Sequence, residues 1–207
     1  GADVRRADNE GIQPLRRACE DGLIETAHLL IAAGAPVDIA DVEGRTPLFT
    51  ASEYGHTETV RLMLDAGADI DRQSNSGASP LMIACYFGQN DAIQLLIDRG
   101  ANLEVADLDD RTPLWNASVG GVDEMVRLLL RSGADVRTMD DKKRTCLYAA
   151  SERGHAGVIR LLLDHGCPVG AGTERGCVPL HIAAENGHVD AMRLLIESDA
   201  AVDQVRK

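Results

Sequence analysis

The sequence predicts an all-α fold built from short helix pairs that repeat along the chain. The same order of residue types returns every 33 residues, which is the mark of a repeat architecture. Aromatic residues make up only 3% of the chain, fewer than a globular core of this size normally contains. We therefore expect a thin stack of repeated units, with an interior of Leu, Ile, Val and Ala, rather than one large core.

Four residue types hold a fixed register in every repeat. A proline or cysteine is followed at once by leucine, then by alanine three residues later and by glycine four residues beyond that. The register positions are Pro14, Pro47, Pro80, Pro113, Cys146 and Pro179, then Leu15, Leu48, Leu81, Leu114, Leu147 and Leu180, then Ala18, Ala51, Ala84, Ala117, Ala150 and Ala183, and finally Gly22, Gly55, Gly88, Gly121, Gly154 and Gly187. Six copies without an insertion predict six structural units.

Each register position has a physical reason. Thr46 before Pro47 indicates a helix N-cap with proline at the first helical position, where the missing N–H costs nothing. Leu48 and Ala51 then share one face of a short helix, and Gly55 ends it. A second apolar run follows in TVRLMLDAG, and the polar stretch DIDRQSNSG predicts a turn-rich loop. One unit is therefore a helix, a tight turn, a second helix and a projecting loop.

The unit length, the T-P-L motif and the G-A-D-I-D stretch resemble the ankyrin repeat over the whole chain. The resemblance implies an all-α ankyrin-repeat solenoid, with helix-turn-helix units and projecting β-hairpin loops. It also implies that the first helix of each unit, called a first helix below, lines a concave side of the solenoid. This side and the hairpins together receive protein partners. We expect one domain over residues 1–207, with repeats at 8–40, 41–73, 74–106, 107–139, 140–172 and 173–205, residues 1–7 as the tail of a preceding repeat, and 206–207 as the start of the next loop.

Three positions depart from this pattern. Asp110 and Lys143 stand where Gly44 and its equivalents mark the loop turn, so we expect these two hairpins to turn differently. Asp199 replaces the glycine after the sixth second helix, so we expect that last turn to fray and AAVDQVRK to begin a loop. Because both ends have the form of inter-repeat loops, we expect further ankyrin repeats in the same longer chain.

Every aromatic residue falls in a first helix. Phe49, Trp115 and Tyr148 occupy the slot of His181, directly after the register leucine, and both packing and binding remain open for them. Tyr54, Tyr86 and Phe87 lie at helix ends, next to the register glycine, which favours binding. With nearby charged residues, the predicted partner-binding set is Phe49, Glu53, Tyr54, Tyr86, Phe87, Arg111, Trp115, Tyr148 and Glu152.

The charge balance narrows the class of partner. The chain has 33 acidic and 21 basic residues, for a net charge of −12. Nucleic acid and anionic lipid require clustered Lys and Arg, so neither is an expected partner. A protein or peptide ligand with basic and apolar residues suits the acidic helix ends and hairpin tips, although a solvated charged surface is the alternative for any single residue. No apolar run reaches the length of a membrane span.

Motifs for enzyme chemistry are missing from the sequence. It contains neither G-x-x-x-x-G-K-[ST] nor G-x-S-x-G, so we expect no enzyme and no cofactor. His165, Cys167 and Cys177 share one loop, but without Cys-x-x-Cys spacing they do not predict a metal site. Cys146, at a helix start, is either a reactive thiol or a small packed residue, and packing is favoured. His56, His155 and His188 share the slot after the glycine, which predicts a structural hydrogen bond near the turn.

The predicted function is non-catalytic binding of a partner protein or peptide, within a larger scaffold or adaptor protein. Two alternatives remain open: a structural spacer without a dedicated partner, and the substrate-recognition module of a ubiquitin ligase. The five cysteines are odd in number and irregularly spaced, which indicates a reducing, cytoplasmic or otherwise intracellular location.

Overall fold

The computed structural model describes the backbone of residues 3–205 and the side chains of residues 3–199. Its residues group into two compact units, Gly1–Leu108 and Asp109–Lys207, called unit 1 and unit 2 below. The regular structure in the described part of both units is helical, as the sequence predicts. None of the helices described is both long and apolar enough to span a bilayer.

Unit 1 contains three helix pairs. The helices are α1 (Pro14–Glu20), α2 (Ile24–Ala32), α3 (Pro47–Glu53), α4 (Thr57–Asp65), α5 (Pro80–Phe87) and α6 (Asn90–Asp98). The first helices α1, α3 and α5 pack side by side in chain order, and the second helices α2, α4 and α6 form a parallel layer of contacts behind them. The core lies between the two layers, where the register leucines Leu15, Leu48 and Leu81 are fully buried.

Unit 2 repeats this plan. Its helices are α7 (Pro113–Gly120), α8 (Asp123–Arg131), α9 (Cys146–Arg153), α10 (Ala156–Asp164), α11 (Pro179–Glu185) and α12 (Val189–Val205). First helices contact first helices, and second helices contact second helices. Leu147 and Ala150 of α9 are fully buried between these layers.

The helices begin where the sequence predicts, for the predicted reason. The Thr46 hydroxyl accepts a hydrogen bond from the Phe49 N–H at 3.1 Å, and Thr145 accepts one from Tyr148 at 3.2 Å. Ser79 caps α5 in the same way. These caps satisfy backbone donors that a short helix would otherwise leave without a partner.

Histidines in the slot after the glycine tie adjacent repeats together. His56 Nε2 donates to the Glu20 carbonyl at 2.9 Å, and His155 Nε2 donates to the Val119 carbonyl at 3.0 Å. His188 makes the same bond to the Glu152 carbonyl at 3.1 Å. Each acceptor lies near the end of the preceding first helix, so the predicted structural role of these three histidines is confirmed.

The inter-repeat loops form tight turns. In the first of them the Asp41 N–H donates to the Arg45 carbonyl at 3.1 Å, and the equivalent bond recurs from Asp140 to Arg144 at 3.0 Å. Within the described residues, β-type pairing is limited to one isolated bridge, between Met139 and Thr145. The expected hairpins are therefore closed turns without extended strands.

The expectation that Asp110 and Lys143 turn their loops differently is wrong. Their φ angles are 58° and 60°, the left-handed conformation that Gly44 adopts at 77°. In the Lys143 loop, Asp140 Oδ1 accepts the backbone N–H groups of Lys142 at 3.0 Å and Arg144 at 2.8 Å. These bonds hold the turn although left-handed backbone costs a residue with a Cβ about 1–2 kcal/mol.

The end of the sixth repeat also differs from expectation. The helix α12 spans Val189–Val205 and passes through Asp199 without a break, so Asp199 does not fray the turn and residues 200–205 do not begin a loop. With no glycine to adopt a left-handed conformation at this register, nothing there stops the helix. Residues 206–207, expected to start the next loop, lie outside the described part of the chain.

Candidate partner-binding surface

Two of the three rings in the slot after the register leucine, Phe49 and Tyr148, are buried. Phe49 is 4% exposed and Tyr148 is 8% exposed. Met82 and Arg16, at the same register in unit 1, are buried as well. The packing alternative is therefore favoured for Phe49 and Tyr148, whereas in the same slot Trp115 is half-buried and His181 is exposed.

Rings at the helix ends of unit 1 lie at the surface. The aromatic patch is defined here as Tyr54 (50% exposed), Tyr86 (61%) and Phe87 (50%). The rings of Tyr86 and Phe87 meet edge to face, with centroids 5.1 Å apart and planes at 83°. Tyr54 stacks on the His56 ring at 6.2 Å, and His56 is fixed by its bond to the Glu20 carbonyl. Three large rings are thus exposed and already oriented.

A groove of about 490 Å³ lies in unit 1 between the first helices and the loop tips. Its lining residues come from α3, α5 and two loops: Val42, Glu43, Arg45, Phe49, Glu53, Ser74, Asn75, Ser76 and Ile83. Ile83 is three residues before Tyr86 on α5, so these two side chains share a helix face. The groove and the aromatic patch therefore adjoin each other along α5.

Asp41 anchors the charged side of this region. Its carboxylate accepts the backbone N–H groups of Glu43 and Arg45 at 2.9 Å and Arg45 Nε at 2.9 Å, and lies 3.2 Å from Arg16 Nη2. Burial alone would raise the pKa of Asp41, but the hydrogen bonds from Arg45 and Glu43 and the charge of Arg16 outweigh it and lower this pKa below its ordinary value. Asp41 is therefore charged and holds two arginines in place.

Glu53 has the opposite shift. Burial raises its pKa above the ordinary value, and the neighbouring Glu20 and Glu43 add to the rise, while Arg45 and Arg16 oppose it. The side chain is half-buried in the wall of the groove. Glu53 is thus a carboxylate in a site that solvates it poorly.

In unit 2 the half-buried Trp115 lies against two guanidinium groups. Arg111 Cζ is 4.6 Å from the Trp115 ring centroid and Arg144 Cζ is 5.7 Å from it, so cation–π contacts hold the ring. Arg111 also pairs with Asp109 at 2.8 Å. The structure therefore brings the predicted site residues Arg111 and Trp115 together.

The other predicted site residues of unit 2, Tyr148 and Glu152, lie close to Arg144. Arg144 binds the buried Asp140 at 2.6 Å; burial alone would lower its pKa, but Asp140 and the nearby Glu152 charge raise it. Burial and the hydrogen bond to Cys177 raise the pKa of Tyr148 to about 12. Glu152, half-buried on α9, is therefore near a fixed cation, and Tyr148 stays neutral.

Sequence reasoning missed two parts of this surface. It assigned no role to Arg16, which is buried and paired with Asp41. It also did not identify the lining by Ser74, Asn75 and Ile83. The register offered a signal for Arg16, since it occupies the slot of Phe49, but nothing in the sequence marks the groove.

The cysteines and the weak metal candidate are engaged in packing. Cys146 is fully buried, and burial raises its pKa, so the packing alternative is favoured over a reactive thiol. Cys167 Sγ lies 3.5 Å from the Val136 carbonyl, and Cys177 accepts from Tyr148. His165 Nδ1 contacts the Leu161 carbonyl at 2.8 Å. Among the residues whose placement is described, no group of three His, Cys, Asp or Glu side chains is arranged to hold a metal.

Comparison with known proteins tests the resemblance directly. A family model described as ankyrin repeats (3 copies) matches residues 1–74, 66–140 and 117–206. A search of curated proteins gives no significant match. The family matches together cover almost the entire chain and agree with the helix pairs seen in both units. The chain belongs to the ankyrin-repeat family.

Proposed function

We propose that this chain is a non-catalytic module that binds a partner protein or peptide through its first helices and loop tips, as part of a larger scaffold or adaptor. Ankyrin repeats are in general protein–protein interaction modules and in general non-catalytic. The observation that carries the proposal is the aromatic patch of unit 1. Its three half-exposed large rings lie at the ends of the neighbouring first helices α3 and α5, and exposed apolar surface of this kind favours a binding role.

The patch has the properties of an interaction hot spot. Tyr and other aromatic side chains offer large contact areas and lose little conformational entropy on binding. The edge-to-face pair of Tyr86 and Phe87 and the stack of Tyr54 on His56 restrict these rings before any partner arrives. A partner would therefore meet a surface that is already ordered.

The remaining candidates take different parts in this proposal. Phe49 and Tyr148 support the surface from below, since both are buried. In unit 2, Trp115 offers a flat ring in contact with Arg111 and Arg144, and Glu152 supplies a carboxylate near Arg144. On that unit we propose contacts with polar and apolar groups of a partner.

The chemistry of the partner follows from charge. The net charge of −12 and the carboxylates of the unit 1 groove favour a segment that has basic residues next to apolar ones. The five cysteines are all free thiols, which supports our proposal of a reducing, intracellular environment.

Alanine substitution in the patch tests the function. We expect Tyr54→Ala and Phe87→Ala each to weaken binding roughly tenfold, about 1.4 kcal/mol, while changing stability little because both rings are half-exposed. Binders would first be selected on the folded protein from a random peptide library displayed on phage, and dissociation constants measured by fluorescence anisotropy.

Leu29→Ala is the matched control, because Leu29 is an exposed apolar residue of the second helix α2 in the same unit. We expect it to leave binding unchanged. If Tyr54→Ala and Phe87→Ala lower stability but not affinity, the rings are packing residues. If selection yields no saturable binder, the spacer alternative is favoured.

A further inference from the structure

Glu53 is a half-buried carboxylate in the wall of the unit 1 groove. Among the residues that the structure describes, no side chain donates a hydrogen bond to it or pairs with it within 4.0 Å. Its situation differs from that of Asp41, which accepts three hydrogen bonds and contacts two arginines. Glu53 thus retains its capacity to accept hydrogen bonds.

The arginines nearest to this carboxylate bind other acids. Arg45 pairs with Asp41 at 2.9 Å and with Glu43 at 3.1 Å. Arg16 pairs with Asp41 at 3.2 Å and with Glu20 at 3.5 Å. Both stay in those pairs because the Asp41 side chain is almost fully buried. A cation that neutralises Glu53 at close range would therefore come from outside the unit.

The groove around Glu53 suits a long side chain with an aliphatic stem. The half-buried Ile83 provides apolar surface beside the buried Phe49, and the exposed ring of Tyr86 continues that surface along α5. A guanidinium or ammonium group on such a stem can reach a carboxylate while its methylene groups stay against apolar surface.

The loop side of the groove is held in place. The Asn75 N–H donates to the Glu43 carbonyl at 2.9 Å, and Asn75 Nδ2 donates to the Val42 carbonyl at 3.0 Å. These two bonds join neighbouring loops and fix the width of the groove between them. An entering side chain would not have to order these loops, which favours binding.

We propose that this groove is a subsite for an arginine side chain of the partner, with the Glu53 carboxylate accepting hydrogen bonds from the guanidinium and Ile83 contacting the stem. The inference rests on the proposed function and names the chemistry that the unit 1 surface selects. Burial makes the Glu53 carboxylate costly to ionise alone, and the arriving cation compensates that cost. The planar fork of arginine matches a carboxylate better than a lysine ammonium does.

The test uses the phage-selected peptides and a double-mutant cycle. For peptides that contain arginine, we expect Glu53→Gln to raise the dissociation constant about tenfold, as for loss of one charge-assisted hydrogen bond. Replacing the peptide arginine by citrulline, a neutral isostere, should weaken binding to the wild-type protein by a similar factor. The citrulline peptide should then bind the Glu53→Gln variant no more weakly than it binds the wild type.

Glu25→Gln provides the control, since it removes the same charge from the exposed start of α2. Circular dichroism would check that each variant is folded.

An unchanged dissociation constant in the Glu53→Gln variant would overturn the subsite. So would a citrulline substitution that weakens binding equally in the wild type and in the Glu53→Gln variant. Selected peptides that need Tyr54 and Phe87 but carry no cation would also overturn it and leave the proposed function standing. Failure to select any peptide would contradict both.

Discussion

Replacing Asp41 by alanine is expected to lower the free energy of unfolding of unit 1 by about 3 kcal/mol at neutral pH. The substitution leaves the buried Arg16 without its closest carboxylate partner and removes the acceptor for Arg45 Nε. It also leaves the N–H groups of Glu43 and Arg45 without the acceptor that closes the turn. Urea unfolding followed by circular dichroism measures the change.

The effect should depend on pH in a defined direction. The folded-state pKa of Asp41 lies below its ordinary value of 3.8, so the contribution of its carboxylate is fully present above pH 3.8. That contribution is lost as the pH falls below 3.8 through the lowered pKa. The difference in stability between wild type and Asp41→Ala should therefore be constant near neutral pH and shrink on acidification below pH 3.8.

The exposed pair between Asp65 and Arg99 gives the comparison within the same unit. These groups are 2.7 Å apart, but both side chains reach solvent. We expect Asp65→Ala to cost less than about 1 kcal/mol because surface ion pairs contribute little. Equal losses for Asp41→Ala and Asp65→Ala would contradict the role given to the buried network.

The second large effect is expected at Gly154, which ends α9. Its φ of 74° is left-handed, and a Cβ added there would lie 2.5 Å from His188 Nδ1. Gly154→Ala should therefore cost about 1–2 kcal/mol for the left-handed backbone and a further 1–2 kcal/mol for displacing the histidine ring. Chemical unfolding monitored by Trp115 fluorescence measures this loss in unit 2.

Gly187 offers a matched control at the same register. Its φ is 72°, and a Cβ there would have nothing within 4 Å, so Gly187→Ala should show the backbone cost alone. In a double-mutant cycle, adding Gly154→Ala to His188→Ala should cost no more than Gly187→Ala does. If both glycine substitutions cost the same in the wild-type background, the close approach of His188 does not matter for stability.

Helix starts and ties between repeats could be predicted because they depend on local chemistry in a fixed register. Thr46 before Pro47 specifies a cap and an N-terminal turn by itself. His155 follows a glycine that lets the chain turn, and its imidazole has one nearby class of acceptor, the carbonyls that end the previous first helix.

Burial of single side chains could not be predicted in the same way. Arg16, Phe49 and Tyr148 occupy one register slot, yet they are a cation, a hydrocarbon ring and a phenol. In these three repeats the position is buried, whereas in the same slot Trp115 is half-buried and His181 is exposed. Residue type alone therefore left packing and binding open. The stabilisation of Arg16 depends on Asp41, which is distant in sequence.

Backbone outcomes at Lys143 and Asp199 depend on what surrounds them. A lysine with positive φ is uncommon, but here the hydrogen bonds to Asp140 decide the turn. At Asp199 the replacement of a glycine removes the stop signal, so α12 continues to Val205. Both results follow from hydrogen bonds and conformations that residue type alone does not specify.

The most direct test of the aromatic patch as the binding surface is fluorine NMR of protein labelled with 3-fluorotyrosine. The chain has three tyrosines, so each signal can be assigned by substitution. On saturation with a selected peptide, we expect the signals of the exposed Tyr54 and Tyr86 to shift and that of the buried Tyr148 to stay in place. A bound peptide that leaves the Tyr54 and Tyr86 signals unmoved would contradict the account.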